Sequence, residues 1–140
     1  MHSTLRTVSL LLLVAVASAA AACNDNTLTS TTPTSTVTST ETFTGTLTKN
    51  GAVTHQFSAT SRGTVTATLT KIDPDSSQTI GVSLGTWNGV SCQTILANDS
   101  AIVGSQLVGT VSGVGNLCLR VYDVGKLATS EDYSVDVVHP

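Results

Sequence analysis

Little in this chain is charged, less is aromatic, and what charge there is leans one way. Asp, Glu, Lys and Arg make up 11% of the 140 residues and Phe, Trp and Tyr 4%. Past Cys23, five basic residues (Lys49, Arg62, Lys71, Arg120 and Lys126) stand against nine acidic ones. A basic stripe of the kind that tracks a phosphate backbone is missing, which argues against nucleic acid as a partner. No run reaches the ~18 apolar residues that a membrane-spanning helix needs. No segment shows a sustained 3.6-residue period. Also missing are HExxH, GxSxG and a phosphate-cradling glycine loop; Gly113-Val114-Gly115 lacks a strand-to-helix context and reads as a turn. The expectation from these gaps is a protein that is not an enzyme and carries neither cofactor nor metal.

Thr, Ser, Val and Gly dominate, and the beginning of the chain reads as an address. Arg6 precedes an apolar run from Val8 to Val16, which ends in small residues up to Ala22. A positive start, a short apolar core and a small-residue end make a secretory signal over 1–22, excluded from the fold. Ala20-Ala21-Ala22-Cys23 is similar to the bacterial lipobox, with Ala20 where leucine is usual, and predicts lipid attachment at Cys23. The alternative is ordinary cleavage after an A-x-A triplet, leaving Cys23 as a thiol in an oxidising compartment. Residues 23–41 are nearly all Thr and Ser and bury too little apolar surface to offset the entropy of ordering, so a disordered tether is expected there. As a flexible coil it would hold its ends roughly 25 Å apart.

From residue 42 to residue 140 the chain alternates. Phe43, Gly45 and Leu47 define a first strand, and Lys49-Asn50-Gly51 predicts a hairpin to a second carrying Val53, His55, Phe57 and Ala59. Val65, Ala67 and Leu69 alternate with threonines, Asp73-Pro74-Asp75 turns, and Ile80, Val82 and Leu84 line a fourth strand. Thr86-Trp87-Asn88-Gly89 turns again before a strand with Cys92. Asn98-Asp99-Ser100 reads as a loop before Leu107, Gly109 and Val111. The strand Leu117–Tyr122 sets Leu117, Leu119 and Val121 on one face and Cys118, Arg120 and Tyr122 on the other. Tyr133, Val135 and Val137 close the series. About eight short strands with turn signals every 8–12 residues predict an all-β fold: a single antiparallel β-sandwich, jelly-roll-like.

Cys92 and Cys118 remain as an even pair in an exported chain, and a disulfide is expected between them. It would enclose about 27 residues, contribute roughly 3 kcal/mol, and cross the face opposite the leucine stripe. Two free thiols or metal ligands are the competing reading, without CxxC or a suitably spaced histidine to support it.

A glycine turn entering Asn116-Leu117-Cys118-Leu119-Arg120-Val121-Tyr122-Asp123, and a close on Asp132-Tyr133-Ser134-Val135-Asp136-Val137-Val138, resemble the bacterial pre-peptidase C-terminal domain over residues 42–138. The resemblance implies an exported accessory sandwich concerned with adhesion, targeting or folding. No peptidase precedes it here, so proteolysis is not implied.

Trp87, the single tryptophan, is the candidate ligand contact, for a sugar or a peptide; the alternative is that it plugs the end of the sandwich. His55 reads as a structural histidine, and His139 lies one residue from the end, where chains fray. Asp73, Asp75, Asp99 and Asp123 are the carboxylates from which a loop-held calcium ion would be built, a property of some members of the resembled family. The expected function is a binding or scaffolding module held at a bacterial cell envelope by lipid, with a protein or carbohydrate ligand. The alternative is an accessory (inhibitor, chaperone or targeting module) of a separately encoded secreted peptidase.

Overall fold

Alternation of apolar and β-branched residues becomes eight strands in the computed structural model, which describes residues 37–140. The expected signal segment, Cys23 and the tether as far as residue 36 lie outside the described residues. The strands are β1 (Ser39–Leu47), β2 (Ala52–Ala59), β3 (Gly63–Asp73), β4 (Ile80–Trp87), β5 (Cys92–Ala101), β6 (Gln106–Val111), β7 (Gly115–Tyr122) and β8 (Glu131–His139). They form two four-stranded antiparallel sheets of order β1-β8-β3-β6 and β2-β7-β4-β5. That order is the double Greek key of a jelly roll. Among the described residues there is no helix.

Each strand turns one apolar stripe inward, as a period of two requires. Val65, Ala67 and Leu69 of β3, Val135 and Val137 of β8, Val82 and Leu84 of β4, and Leu119 and Val121 of β7 meet in one core. Leu119, Val121, Val135 and Val137 are fully buried, at 0% exposure. The stripe on β3 is not continuous. A register shift against β8 between Leu69 and Lys71 turns Lys71 outward and returns Ile72 to the core at 3% exposure. Strict alternation would have buried the lysine, so the bulge spares an unpaired charge from the interior.

Four expectations change. Lys49-Asn50-Gly51 does not make a hairpin, because β1 pairs with β8 and β2 with β7, in different sheets. Gly51 N–H donates to Thr48 O at 2.8 Å, and among the described non-glycine residues only Asn50 has a positive φ, at 55°. The hairpin turn would need positive φ at both Asn50 and Gly51; the turn found carries the chain across the core instead. Second, β1 opens at Ser39, so residues 39–41 of the expected tether are a paired strand. Third, Asn98-Asp99-Ser100 lies within β5, not in a loop.

Fourth, His139 does not fray. It is 4% exposed, its Nε2 lies 3.0 Å from Glu41 Oε1, and its ring packs on Phe57 at 5.2 Å. Thr60 N–H donates to Pro140 O at 2.9 Å and ties down the last residue.

Leu119 sits between β2 and β4 with no exposed surface. Truncating it to alanine removes buried methyl groups and opens a cavity at the centre of the sandwich. Leu119→Ala is expected to cost about 2–5 kcal/mol. The measure is guanidinium denaturation; a loss under ~1 kcal/mol would show that the site collapses and the core is not centred there.

Candidate functional site

The outer face of the β2-β7-β4-β5 sheet carries what most surface sheets lack, a built superstructure. On β4 the outward positions are Gly81, Ser83, Gly85 and Trp87; the first three are the register partners of Tyr122, Arg120 and Cys118 on β7, and Trp87 is that of Cys92 on β5. A side chain at Gly81 would collide with the Tyr122 ring, and one at Gly85 with the carbonyl of Gln93. The two glycines therefore clear space above β4. Tyr122 crosses it and donates a hydrogen bond to Asp99 of β5. At Gly85 the start of β5 comes over β4, and Cys92 bonds to Cys118 with their Cα atoms 5.8 Å apart. The expected disulfide is thus present, on the face opposite the leucine stripe. Cys118 is covered completely, at 0% exposure. Ser83 lies between the two crossings, buried, with no hydrogen-bond partner for its Oγ.

Beside the disulfide is a shallow hollow of about 380 Å³ lined by Thr54, Trp87, Val90, Ser91, Cys92 and Arg120. Four parts of the chain supply it. Thr54 of β2 is the register partner of Arg120. Trp87 ends β4 opposite Cys92. Val90 and Ser91 belong to a turn that Asn88 Oδ1 shapes by accepting from their N–H groups at 2.9 and 2.8 Å. The Arg120 guanidinium carbon lies 5.1 Å from the centroid of the Tyr122 ring, a cation–π contact. Trp87 is partly exposed, so it borders a recess instead of plugging the core.

Sequence reasoning named Trp87, Cys92 and Cys118, and the fold brings them together. It missed Thr54, Val90 and Ser91, and it placed Arg120 on the outer face without assigning it to a site. The signal that joins Thr54 to Arg120 is the β2–β7 register, which a β1–β2 hairpin had obscured. A second concavity, of about 370 Å³, was also missed. It lies between the edge strands β5 and β6 and is apolar, bordered by Phe57, Leu84, Ile95, Leu96, Val108 and Leu117.

Several other titratable groups are engaged in local contacts. His55 Nε2 is 2.7 Å from Tyr133 Oη and its ring stacks on Phe43 at 5.0 Å; burial lowers its pKa. Asp75 accepts from Ser77 and Gln78 within its own turn. Asp123 accepts from the N–H groups of Asn50, Gly125, Lys126 and Leu127, which hold its carboxyl below the usual range. Asp73 pairs with Lys71 at 3.5 Å and Asp99 with Tyr122. The four aspartates named as calcium ligands are thus dispersed, and among the described residues no three His, Cys, Asp or Glu side chains gather.

Against protein-family models the chain finds no match, and no curated protein matches it significantly.

Two outcomes follow from this geometry. A Cys92→Ala/Cys118→Ala variant is expected to lose roughly 3 kcal/mol in denaturation, because the closed loop no longer restrains the unfolded chain. Free thiols at both positions in protein isolated without reductant, or a loss under ~1 kcal/mol, would contradict that role.

The second concerns Tyr122. Burial, followed by the hydrogen bond to Asp99 and that residue's charge, pushes its hydroxyl up to about 12, and burial does the same for Tyr133. Folding favours the neutral phenols, so their contribution is complete below pH 10 and is lost as pH rises towards about 12. Absorbance titration of the native protein should show little phenolate near pH 10, and Asp99→Asn should lower one of the two transitions. Half of the phenolate signal appearing near pH 10 in the unaltered protein would refute it.

Proposed function

We propose that this is a non-catalytic binding module of a bacterial cell envelope, held there by lipid on Cys23 and presented on the Thr/Ser-rich segment that follows. The observation that carries the reading is the recess in which Trp87 and Arg120 meet beside the Cys92–Cys118 bond. A large amphipathic aromatic and a planar cation on a braced sheet suit recognition of a ligand, because little freedom is lost on contact. His55, His139 and Asp123, of the residue types that serve as bases or metal ligands, each hold a neighbour in place. The alternative, an accessory of a separately encoded secreted peptidase, draws on the sequence likeness of β7 and β8 to the pre-peptidase C-terminal domain.

A fractionation experiment addresses attachment and binding in turn. Cys23→Ser is expected to move the protein from the membrane to the soluble fraction. The soluble form should then co-sediment with isolated envelope fragments, and Trp87→Ala should reduce that by about tenfold, as for an interface anchor worth ~1–2 kcal/mol. Unchanged membrane partitioning, or no acyl mass on Cys23, refutes the anchor. Sedimentation indifferent to Trp87 refutes the binding face.

A further inference from the structure

We infer that the Trp87–Arg120 hollow takes a carboxylate-bearing sugar unit of an acidic polysaccharide, with the indole as stacking face and the guanidinium as carboxylate fork. This rests on the binding-module reading and adds the chemistry of the ligand.

Arg120 is the first reason. Among the described residues the ion pairs are Lys71–Asp73 and His139–Glu41, and no hydrogen bond there is made by the Arg120 guanidinium. What positions it is the Tyr122 ring, itself held by Asp99. A permanently charged, planar group with five donors is therefore held beside the ring with no acceptor for those donors among the described residues. A carboxylate fits the edge of such a group with two parallel hydrogen bonds, which lysine cannot supply.

The charge around the hollow is the second. Of its six lining residues only Arg120 is charged, whereas the chain as a whole carries a net −3. The lining thus carries a single positive charge on an acidic protein; the Asp99 carboxylate stands on the far side of the Tyr122 ring, where it accepts the phenol's hydrogen bond, and at physiological salt a screening length of about 8 Å weakens the influence of carboxylates farther away.

The third reason selects a sugar over a peptide. Arg120 and Trp87 stand on β7 and β4, both of which are paired on either side, so their backbone groups are already used; the free edges of this sheet belong to β2 and β5. A peptide adding as a strand needs a free edge, and one added beyond β2 or β5 would be separated from Arg120 by at least the width of β2. Recognition must come from side chains. Trp87 offers a flat apolar surface that suits the C–H face of a pyranose. Thr54 contributes a hydroxyl, and Ser91 Oγ accepts from Gln93 Nε2 at 2.9 Å, which leaves the serine O–H to donate. The volume, about 380 Å³, lies at the small end of ordinary ligand sites.

Trp87 is the single tryptophan, so its fluorescence reports on the site alone. The full chain is titrated with trigalacturonate, with the neutral galactose trimer, and with a short peptide ending in a free carboxylate. Trigalacturonate is expected to change Trp87 emission saturably, to bind at least about tenfold tighter than the neutral trimer, and to weaken with salt. Arg120→Gln should remove most of that preference, and Arg120→Lys, which keeps the charge without the fork, should restore only part of it. Calorimetry on Trp87→Phe, with near-ultraviolet dichroism confirming the fold, should show weakened binding. No saturable response to trigalacturonate, or equal affinity for the neutral trimer, overturns the inference. So does tighter binding of the peptide, although Trp87-dependent envelope binding would then still stand. Loss of that sedimentation, by contrast, is the failure of the binding-module reading.

Discussion

The last two strands of the chain occupy the inside of both sheets, and that placement constrains everything else. β8 is paired with β1 and β3, and β7 with β2 and β4. Their inward residues Leu119, Val121, Val135 and Val137 have no exposed surface. β1 and β2 find their hydrogen-bond partners only when the C-terminal strands arrive, so the N-terminal strands cannot form a stable hairpin on their own. Apolar burial supplies the drive, at roughly 25 cal/mol per Å², and the ladders on either side of β7 and β8 give it direction. Only the β4–β5 connection stays within one sheet. Every other turn carries the chain across the core, which makes most native contacts distant in sequence.

That single within-sheet hairpin is where the outer face is elaborated. β4 keeps small residues at 81, 83 and 85, and β7 keeps larger ones opposite them. The result is a face on which β7 reaches over β4 twice, through Tyr122 to Asp99 and through Cys118 to Cys92. A bulge in the β4–β5 register between Leu84 and Gly85 accompanies the second crossing. Bulges at such places re-aim side chains, and here Trp87 and Cys92 lie just beyond it. A side chain at 85 would collide with the Gln93 carbonyl, so the glycine lets the start of β5 lie over β4, next to the Cys92–Cys118 bond and the recess.

Much of the fold was legible in the sequence because its signal is local. The stripes on β3, β4, β7 and β8 follow directly from a period of two, and an even pair of cysteines behind an expected export signal pointed to the disulfide. What was not legible is pairing. Asn50-Gly51 carries the local chemistry of a hairpin, and only the competing partners β8 and β7 decide otherwise. The bulge at Lys71 and the burial of His139 likewise depend on residues far along the chain, Ser134 in one case and Glu41 in the other. The candidate site was half visible for the same reason. Trp87 stands out by rarity, but its neighbours Thr54 and Arg120 are 33 and 33 positions away on either side, joined only through register.

The inward stripe of β8 shows how the polar residues of this interior are accommodated. It reads Glu131, Tyr133, Val135, Val137 and His139, polar at both ends and apolar in the middle. A sandwich is thickest in hydrocarbon at its centre and opens to water where the strands end, so ionisable groups are tolerated only at those ends and only with partners. Glu131 accepts from the Asp75 N–H at 3.0 Å and anchors the β3–β4 turn; His139 meets Glu41 and anchors β1. Tyr133, one step inside, satisfies its hydroxyl with His55 across the core. Each of these groups is committed to holding a strand or turn that the apolar stripe alone would leave loose. Arg120, whose guanidinium has no acceptor among the described residues, stands on the opposite surface of β7, and that contrast is why a ligand's carboxylate is sought there and not among the buried histidines.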